Sequence, residues 1–316
     1  NGLLEVGPPL FHLTKMALFV GRHAERADQA DKKWILTSSR PFDPPLTAKG
    51  LQQAEALAAR LVQDQGLVAP RARITHIYAS PFTRTVETAA ACAKVTLCAL
   101  RPWSPRRPCL QPLTRCPRAP APGLASDGMV GEFLQALGIG SIKVEHGITE
   151  AMDGHWYKCF DSSPWAKNIL AGGGRLPNGE DLLVPTAYLH DNVSSLVDIK
   201  YKSAHRHRGI SREEPESAAV RRARLRAAYG RIYRRHIARG ESVLVVVHGA
   251  VVEDSFILLA AAAPPPKKIH YTSLSLFRAP PEAAGWARWA VGAVVAPLAP
   301  LVRWAAGGSG LPEGEW

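Results

Sequence analysis

The chain has 316 residues, 46% of them apolar and 21% charged, a balance that excludes a disordered or fibrous protein and fits an ordinary globular one. Its formal charge of +12 is local: thirteen Lys or Arg stand between Lys200 and Arg239, against Glu213, Glu214 and Glu216, and Leu97–Gly128 adds five Arg against one Asp. Basicity confined to one helix face and one Pro-rich loop does not make a nucleic-acid reader, so no specific nucleic-acid partner is expected.

Residues 1–15 form an N-terminal extension. Met16–Gly21 is a short apolar run closed by Gly, which predicts a buried strand. After the turn Pro41-Phe42-Asp43-Pro44-Pro45, Thr47 caps a predicted helix over Lys49–Gln65 with an apolar stripe of Leu51, Ala54, Leu57, Ala58 and Leu61. Ile74–Ala79 is a second strand. Pro81–Lys94 is a second helix, with Ser80 as its cap and Pro81 at its first position. Leu97–Gly128 carries seven prolines and five arginines without a hydrophobic period, and reads as an insertion. A short helix over Met129–Leu137 and a strand over Ser141–Val144 follow.

Residues 160–200 are irregular and include the run Gly172-Gly173-Gly174. A basic helix spans about Pro215 to Ala238, its charges a solvated face, and Gly240 closes it. Val243–Val247, continuous and β-branched, is a strand buried on both faces. Val251–Ala263 is a helix, and Tyr271–Phe277 a strand. The fourteen apolar residues between Arg288 and Arg303 are too few to span a membrane and are interrupted by Pro297 and Pro300. They predict a last strand and a Pro/Gly-rich tail over 279–316. Strands separated by helices imply an α/β fold with a mostly parallel sheet and helices on both faces. The domain is expected to span 16–278, interrupted at about 97–128.

Cys92, Cys98, Cys109, Cys116 and Cys159 form no CxxC pair, and reduced thiols in the cytoplasm are the simpler expectation. His146 and His155 have no partners at metal-ligand spacing, so neither metal nor cofactor is expected.

Four motifs stand at or just beyond predicted strand ends, where open α/β sheets bind ligands. They are Gly21-Arg22-His23-Ala24-Glu25-Arg26, Ser80-Pro81-Phe82-Thr83-Arg84-Thr85, Val144–Glu150 and Val247-His248-Gly249-Ala250. Transfer of a phosphoryl group to a side chain needs an in-line nucleophile, and neutral imidazole is one at pH 7. It needs fixed positive charge on the equatorial oxygens, which Arg supplies with a bidentate fork. It also needs an acid to protonate the leaving oxygen. His23, Arg22, Arg26, Arg84, His248 and Glu150 are residues of those types. Glu25, Glu145 and Asp153 are further carboxylates, and Glu145 reads as a solvated strand residue.

Arg22–Arg26 resembles the RHG-type motif of the histidine phosphatase (phosphoglycerate mutase-like) superfamily. Asp43–Ala54, Ser80–Thr88 and Val243–Ala250 are similar to that family's other motifs. Val144–Glu150, Val197–Tyr201 and Tyr271–Leu274 resemble the Sts-like branch, which includes ecdysteroid-phosphate phosphatases. The resemblance covers roughly 17–96 and 141–278. It implies a three-layer phosphoglycerate mutase-like fold and metal-independent hydrolysis of a phosphomonoester through a phosphohistidine on His23. It further implies that Arg22, Arg84 and His248 hold the phosphate, that Arg26 supports the pocket, and that Glu150 is the general acid. Ala24 departs from the family's usual Gly, which matters only if the backbone there needs φ > 0. A mutase-type phosphotransferase and a catalytically inactive phosphate-binding module are the alternatives, and a homodimer is allowed. The motifs do not name the phosphomonoester.

Overall fold

A computed structural model of the chain describes residues 17–38, 40–68, 74–100, 141–151, 189–205, 216–236, 241–259, 265–278 and 290–295. The N-terminal extension, most of the Pro/Arg-rich stretch, the expected helix at Met129–Leu137 and the Gly172–Gly174 run lie outside these residues, as do Asp153 and His155.

The strands are β1 (Ala17–Arg22), β2 (Ile74–Ala79), β3 (Ile142–Val144), β4 (Ser242–Val247), β5 (Leu274–Arg278) and β6 (Ala290–Val295). They form one sheet in the order β3-β2-β4-β1-β5-β6. β4 pairs in parallel with β1 and β2, and β2 with β3, whereas β5 runs antiparallel to β1 and to β6. The longer helices are α1 (Ala48–Val68), α2 (Thr83–Leu100), α3 (Ala218–His236) and α4 (Gly249–Leu259). None of the described helices is long and apolar enough to cross a membrane.

Period-two alternation divides each central strand between two cores. Ala17 and Phe19 of β1 and Leu244 and Val246 of β4 face α1 and α2, meeting Leu57, Leu61, Val86 and Ala90. Leu18, Val20, Val243, Val245 and Val247 face α3 and α4, meeting Leu225, Tyr229, Val252 and Phe256. The expected α/β sandwich, with a mostly parallel sheet between two helical layers, is therefore the observed fold. Of the stripe on α1, Ala54, Leu57, Ala58 and Leu61 are buried, but Leu51 is 48% exposed.

Two helix starts differ in an informative way. α1 begins where expected: the Thr47 hydroxyl oxygen accepts from the Gly50 N–H at 2.8 Å. α2 begins at Thr83, two residues later than Ser-Pro suggests, and its cap is remote. The Asp43 carboxylate accepts from the Thr83 N–H at 2.8 Å and from the Thr83 hydroxyl at 2.7 Å. α2 also continues to Leu100, so the chain remains helical past Leu97.

The loop after β1 is clamped onto the start of α1. The Thr47 N–H donates to the Glu25 carbonyl, the Thr47 hydroxyl donates to the Glu25 carboxylate at 2.9 Å, and Ala27 N–H donates to the Pro45 carbonyl. Gly50 sits against the Glu25 backbone so closely that a Cβ would collide with its carbonyl. Gly50→Ala must therefore push the loop off the helix. Overpacking of this kind costs about 1–3 kcal/mol. We expect a lowered melting temperature together with reduced turnover; an unchanged melting temperature would show that the loop yields freely.

Candidate active site

The parallel strands deliver their following residues to one edge of the sheet. His23 follows β1, Ser80 follows β2, Glu145–Glu150 follow β3, and His248 follows β4. Backbone hydrogen bonds fix these exits to one another: His23 N–H to the Val247 carbonyl at 2.9 Å, Ser80 N–H to Val246 at 3.1 Å, and Glu145 N–H to Ala79 at 2.9 Å. α4 begins at Gly249, directly after His248, and α2 begins close to Arg84. Two helix N-termini thus add positive potential at this edge.

The His23 ring is 1% exposed. Its Nδ1 lies 2.7 Å from the Ala24 carbonyl oxygen. A carbonyl can only accept, so Nδ1 carries the proton and the lone pair is on Nε2. Burial, together with the nearby Arg84, His248 and Arg22, holds the imidazole pKa well below its ordinary value, which keeps the ring neutral. Tyr271 and His248 pack beside the ring at centroid distances of 5.7 and 5.2 Å. Ala24 is fully buried, and its N–H donates to the Thr88 hydroxyl oxygen at 3.2 Å. Among the described residues the only non-glycine with positive φ is Thr272, so Ala24 replaces a Gly at no conformational cost.

Arg84 is also 1% exposed. Its Nη2 lies 3.5 Å from the Glu150 carboxylate, and its Nη1 lies 3.9 Å from Asp43. Burial, with a smaller push from Arg26, lowers its pKa to about 10, so the guanidinium stays charged. Arg22 stacks over the Tyr271 ring at 4.3 Å and donates through Nη1 to the Ile269 carbonyl. Arg26 pairs with Asp28 at 2.8 Å. Arg84 Nε and Nη1 and Arg22 Nε are buried donors with no hydrogen-bond partner among the described residues. Unsatisfied buried donors are costly, and donors grouped around a neutral imidazole offer positions for an anion's oxygens.

Glu150 Oε2 lies 3.0 Å from His248 Nδ1. Burial alone would raise this carboxyl's pKa, but His248, Arg84 and Arg26 outweigh it and hold the pKa far below the usual range. Glu150 therefore rests as a carboxylate that accepts from the His248 Nδ1–H. His248 Nε2, 2.7 Å from the Ser80 oxygen, then accepts from the Ser80 hydroxyl. Burial chiefly lowers the His248 pKa to about 4, with Arg84 adding to it against Glu150. His23, Glu150 and His248 also meet the spacing of a three-ligand metal group. The Arg84 guanidinium, 3.3 Å from His248 and 3.5 Å from Glu150, places a cation among those ligands and favours an anion instead.

All six expected residues are thus brought to this edge. Two other readings are corrected. Glu145 is not solvated: it is 2% exposed and accepts from the Tyr201 hydroxyl, the Ser203 hydroxyl at 2.7 Å and the Gly147 N–H at 2.8 Å. Its charge is spent on shaping the turn before Glu150. The basic helix is only partly a solvated face. Arg221 and Arg222 pair with the buried Asp254, and Arg224 is itself buried. Arg224 donates to the carbonyls of Gly147, Thr149 and Glu150 at 3.1, 3.2 and 3.4 Å while pairing with Glu216.

Sequence reasoning did not name Asp43 or Tyr271 as site residues, although both lie in segments that resemble family motifs, Asp43–Ala54 and Tyr271–Leu274.

The model of the histidine phosphatase superfamily, branch 1, matches residues 18–104. Among solved structures, the chain is similar to ecdysone phosphate phosphatase from Bombix mori in complex with tungstate, at 18% identity over 95% of this chain and 98% of that one, with a TM-score of 0.52. A phosphoglycerate mutase from Bacillus anthracis str. Sterne aligns at 14% identity over 88% and 92% of the two chains, with a TM-score of 0.46. The protein histidine phosphatase SixA complexed with tungstate aligns at 14% identity over 89% and 97%, with a TM-score of 0.38. No curated protein sequence matches the chain. The superfamily resemblance read from the motifs is borne out, and the fold is the phosphoglycerate mutase-like one.

Two expectations follow from this geometry. Arg84→Lys keeps a charge but loses the fork, and its effect on turnover should be on the order of 10²-fold or more. Near-full activity would show that the Arg84 fork is not needed for turnover. The second concerns pH. His23 and His248 have folded pKa values depressed below the ordinary 6.5, so under acid the unfolded chain binds protons that the folded chain refuses. Their contribution to stability is complete above pH 6.5 and is lost as pH falls towards about 4. The melting temperature should drop steadily between those limits, and a flat profile would contradict the neutral assignment.

Proposed function

Taking the chain as a relative of the histidine phosphatase superfamily, we propose that it is a phosphomonoester hydrolase acting through a phosphohistidine on His23. The observation that carries this reading is a buried, neutral His23 with its lone pair on Nε2, set among Arg84 and Arg22 donors that lack partners among the described residues. In the first step Nε2 attacks phosphorus, and the bond to the leaving oxygen breaks with its electron pair on that oxygen. Glu150 supplies the proton. In the second step water attacks phosphorus and gives a proton to the Glu150 carboxylate, the P–N bond returns its pair to Nε2, and phosphate departs. Arg22, Arg84 and His248 hold the equatorial oxygens, with Arg26 as support.

Glu150 starts as a carboxylate, so it must gain a proton before it can give one. A phosphate dianion on Arg84 takes over that guanidinium and adds negative charge beside Glu150. Both changes raise the pKa of the carboxyl. His248, whose ring nitrogens are both engaged by protein groups in the free enzyme, turns to the phosphate only as Glu150 is released from it. The substrate class is a phosphomonoester of the phosphotyrosine or small-molecule type.

The test is a brief incubation with a radiolabelled phosphomonoester, quenched in alkali, where a phosphoramidate survives. Label should be trapped on the wild-type chain, and His23→Ala should abolish both trapping and turnover. Glu150→Gln should slow hydrolysis of an alkyl phosphate far more than that of a nitrophenyl phosphate, because a low-pKa phenoxide needs little protonation. Substantial activity in His23→Ala, or label mapping to His248, would assign the nucleophile elsewhere.

A further inference from the structure

A second cluster of titratable groups lies at the opposite edge of the sheet. His76 is near the start of β2, Glu241 immediately precedes β4, and His236 ends α3. Glu241 Oε2 lies 2.9 Å from His76 Nε2 and 2.7 Å from His236 Nδ1. The two imidazoles stack with centroids 3.9 Å apart. The phosphatase chemistry makes no use of these residues.

We propose that His76, His236 and Glu241 bind one divalent transition-metal ion of the zinc class. Each offers one ligand atom, and the three atoms lie within 4.8 Å of one another. Bonds of about 2.0–2.1 Å in tetrahedral geometry set ligand atoms about 3.3 Å apart, so the present 2.7 and 2.9 Å contacts need to open by about half an ångström. Two imidazoles and one carboxylate form a recognised zinc donor set, with the fourth position left to water. Glu241 and His76 are both partly exposed, which gives the ion a route in.

Two further observations support a metal over a simple hydrogen-bonded clasp. His236 Nε2 lies 2.8 Å from the Tyr78 hydroxyl, the kind of outer contact that orients a ligating imidazole and fixes its tautomer. The register of β2 against β4 also shifts between Ile74 and His76, an irregularity of the type that re-aims a strand side chain.

Loading balances without net loss of protons. Metal-free, His76 Nε2–H and His236 Nδ1–H both donate to Glu241, and Tyr78 donates to His236 Nε2. On binding, the proton of each ring moves to its other nitrogen, and Tyr78 turns to accept. The charges facing the ion are Lys143 from β3 and Arg235 from α3, which oppose it.

The experiment titrates the full-length, metal-stripped chain with zinc by calorimetry, and with cobalt by visible absorption. Cobalt should develop the d–d bands of a four-coordinate site, and zinc should bind at one equivalent with Kd at or below about 10 μM. Binding should raise the melting temperature. His76→Gln and Glu241→Gln should each weaken zinc at least tenfold, Lys143→Met should tighten it, and Glu150→Gln should leave it unchanged. Hydrolysis of nitrophenyl phosphate by His76→Gln should match wild type, with or without EDTA, which shows that the variant is folded. Absence of stoichiometric binding would overturn the proposal. So would affinity that survives His76→Gln and is lost in Glu150→Gln, which would move the ion to the active site.

Discussion

Everything at the C-terminal edge of the sheet depends on keeping the Arg84 guanidinium charged while it is almost entirely out of water. Desolvating such an ion is expensive, and the surrounding chain is arranged to offset that cost. Asp43 approaches from the Pro-rich turn, Glu150 from the loop after β3, and the Phe82 ring lies 4.4 Å away from the guanidinium carbon. Asp43 has a double duty, because the same carboxylate caps α2 and pairs with Arg40 at 3.0 Å. The turn that carries it therefore sets both the start of a core helix and the charge balance of the site. The compensation is incomplete, since Arg84 Nε and Nη1 have no hydrogen-bond partner among the described residues.

The neutrality of His23 comes first from its own burial, and the cation buried beside it adds to that by making a second positive charge costly. Glu150 experiences the opposite effect and stays ionised. The buried guanidinium thus contributes to the protonation state of both His23 and Glu150, alongside burial for His23 and the His248 hydrogen bond for Glu150.

Much of this could be read from the sequence, for reasons that differ by element. β4 was clear because a run of β-branched residues is buried on both faces, and a central parallel strand has no other way to look. His23, Arg84 and His248 could be found because strand ends in an open sheet converge. The cap of α2 was not readable: Ser80 and Thr83 are both good local caps, and the choice of Asp43 comes from 40 residues away in the chain. Glu145 and Arg224 were misread for a related reason. A carboxylate at a strand end and an arginine in a basic helix look solvated until the other chain segment that satisfies them is in place. Glu241 and His76 lie 165 residues apart and gave no sign of meeting.

The hold of Arg224 on the Glu150 loop bears on how the protein's surface can be redesigned. α3 looks like a uniform coat of positive charge, an obvious target for anyone wishing to lower the isoelectric point or weaken binding to ion-exchange resins. It is not uniform. Arg234 is exposed, whereas Arg224 reaches inward to the carbonyl groups of Gly147, Thr149 and Glu150. Recharging the helix without sparing that one position would free the loop that carries Glu150 from the helix that holds it.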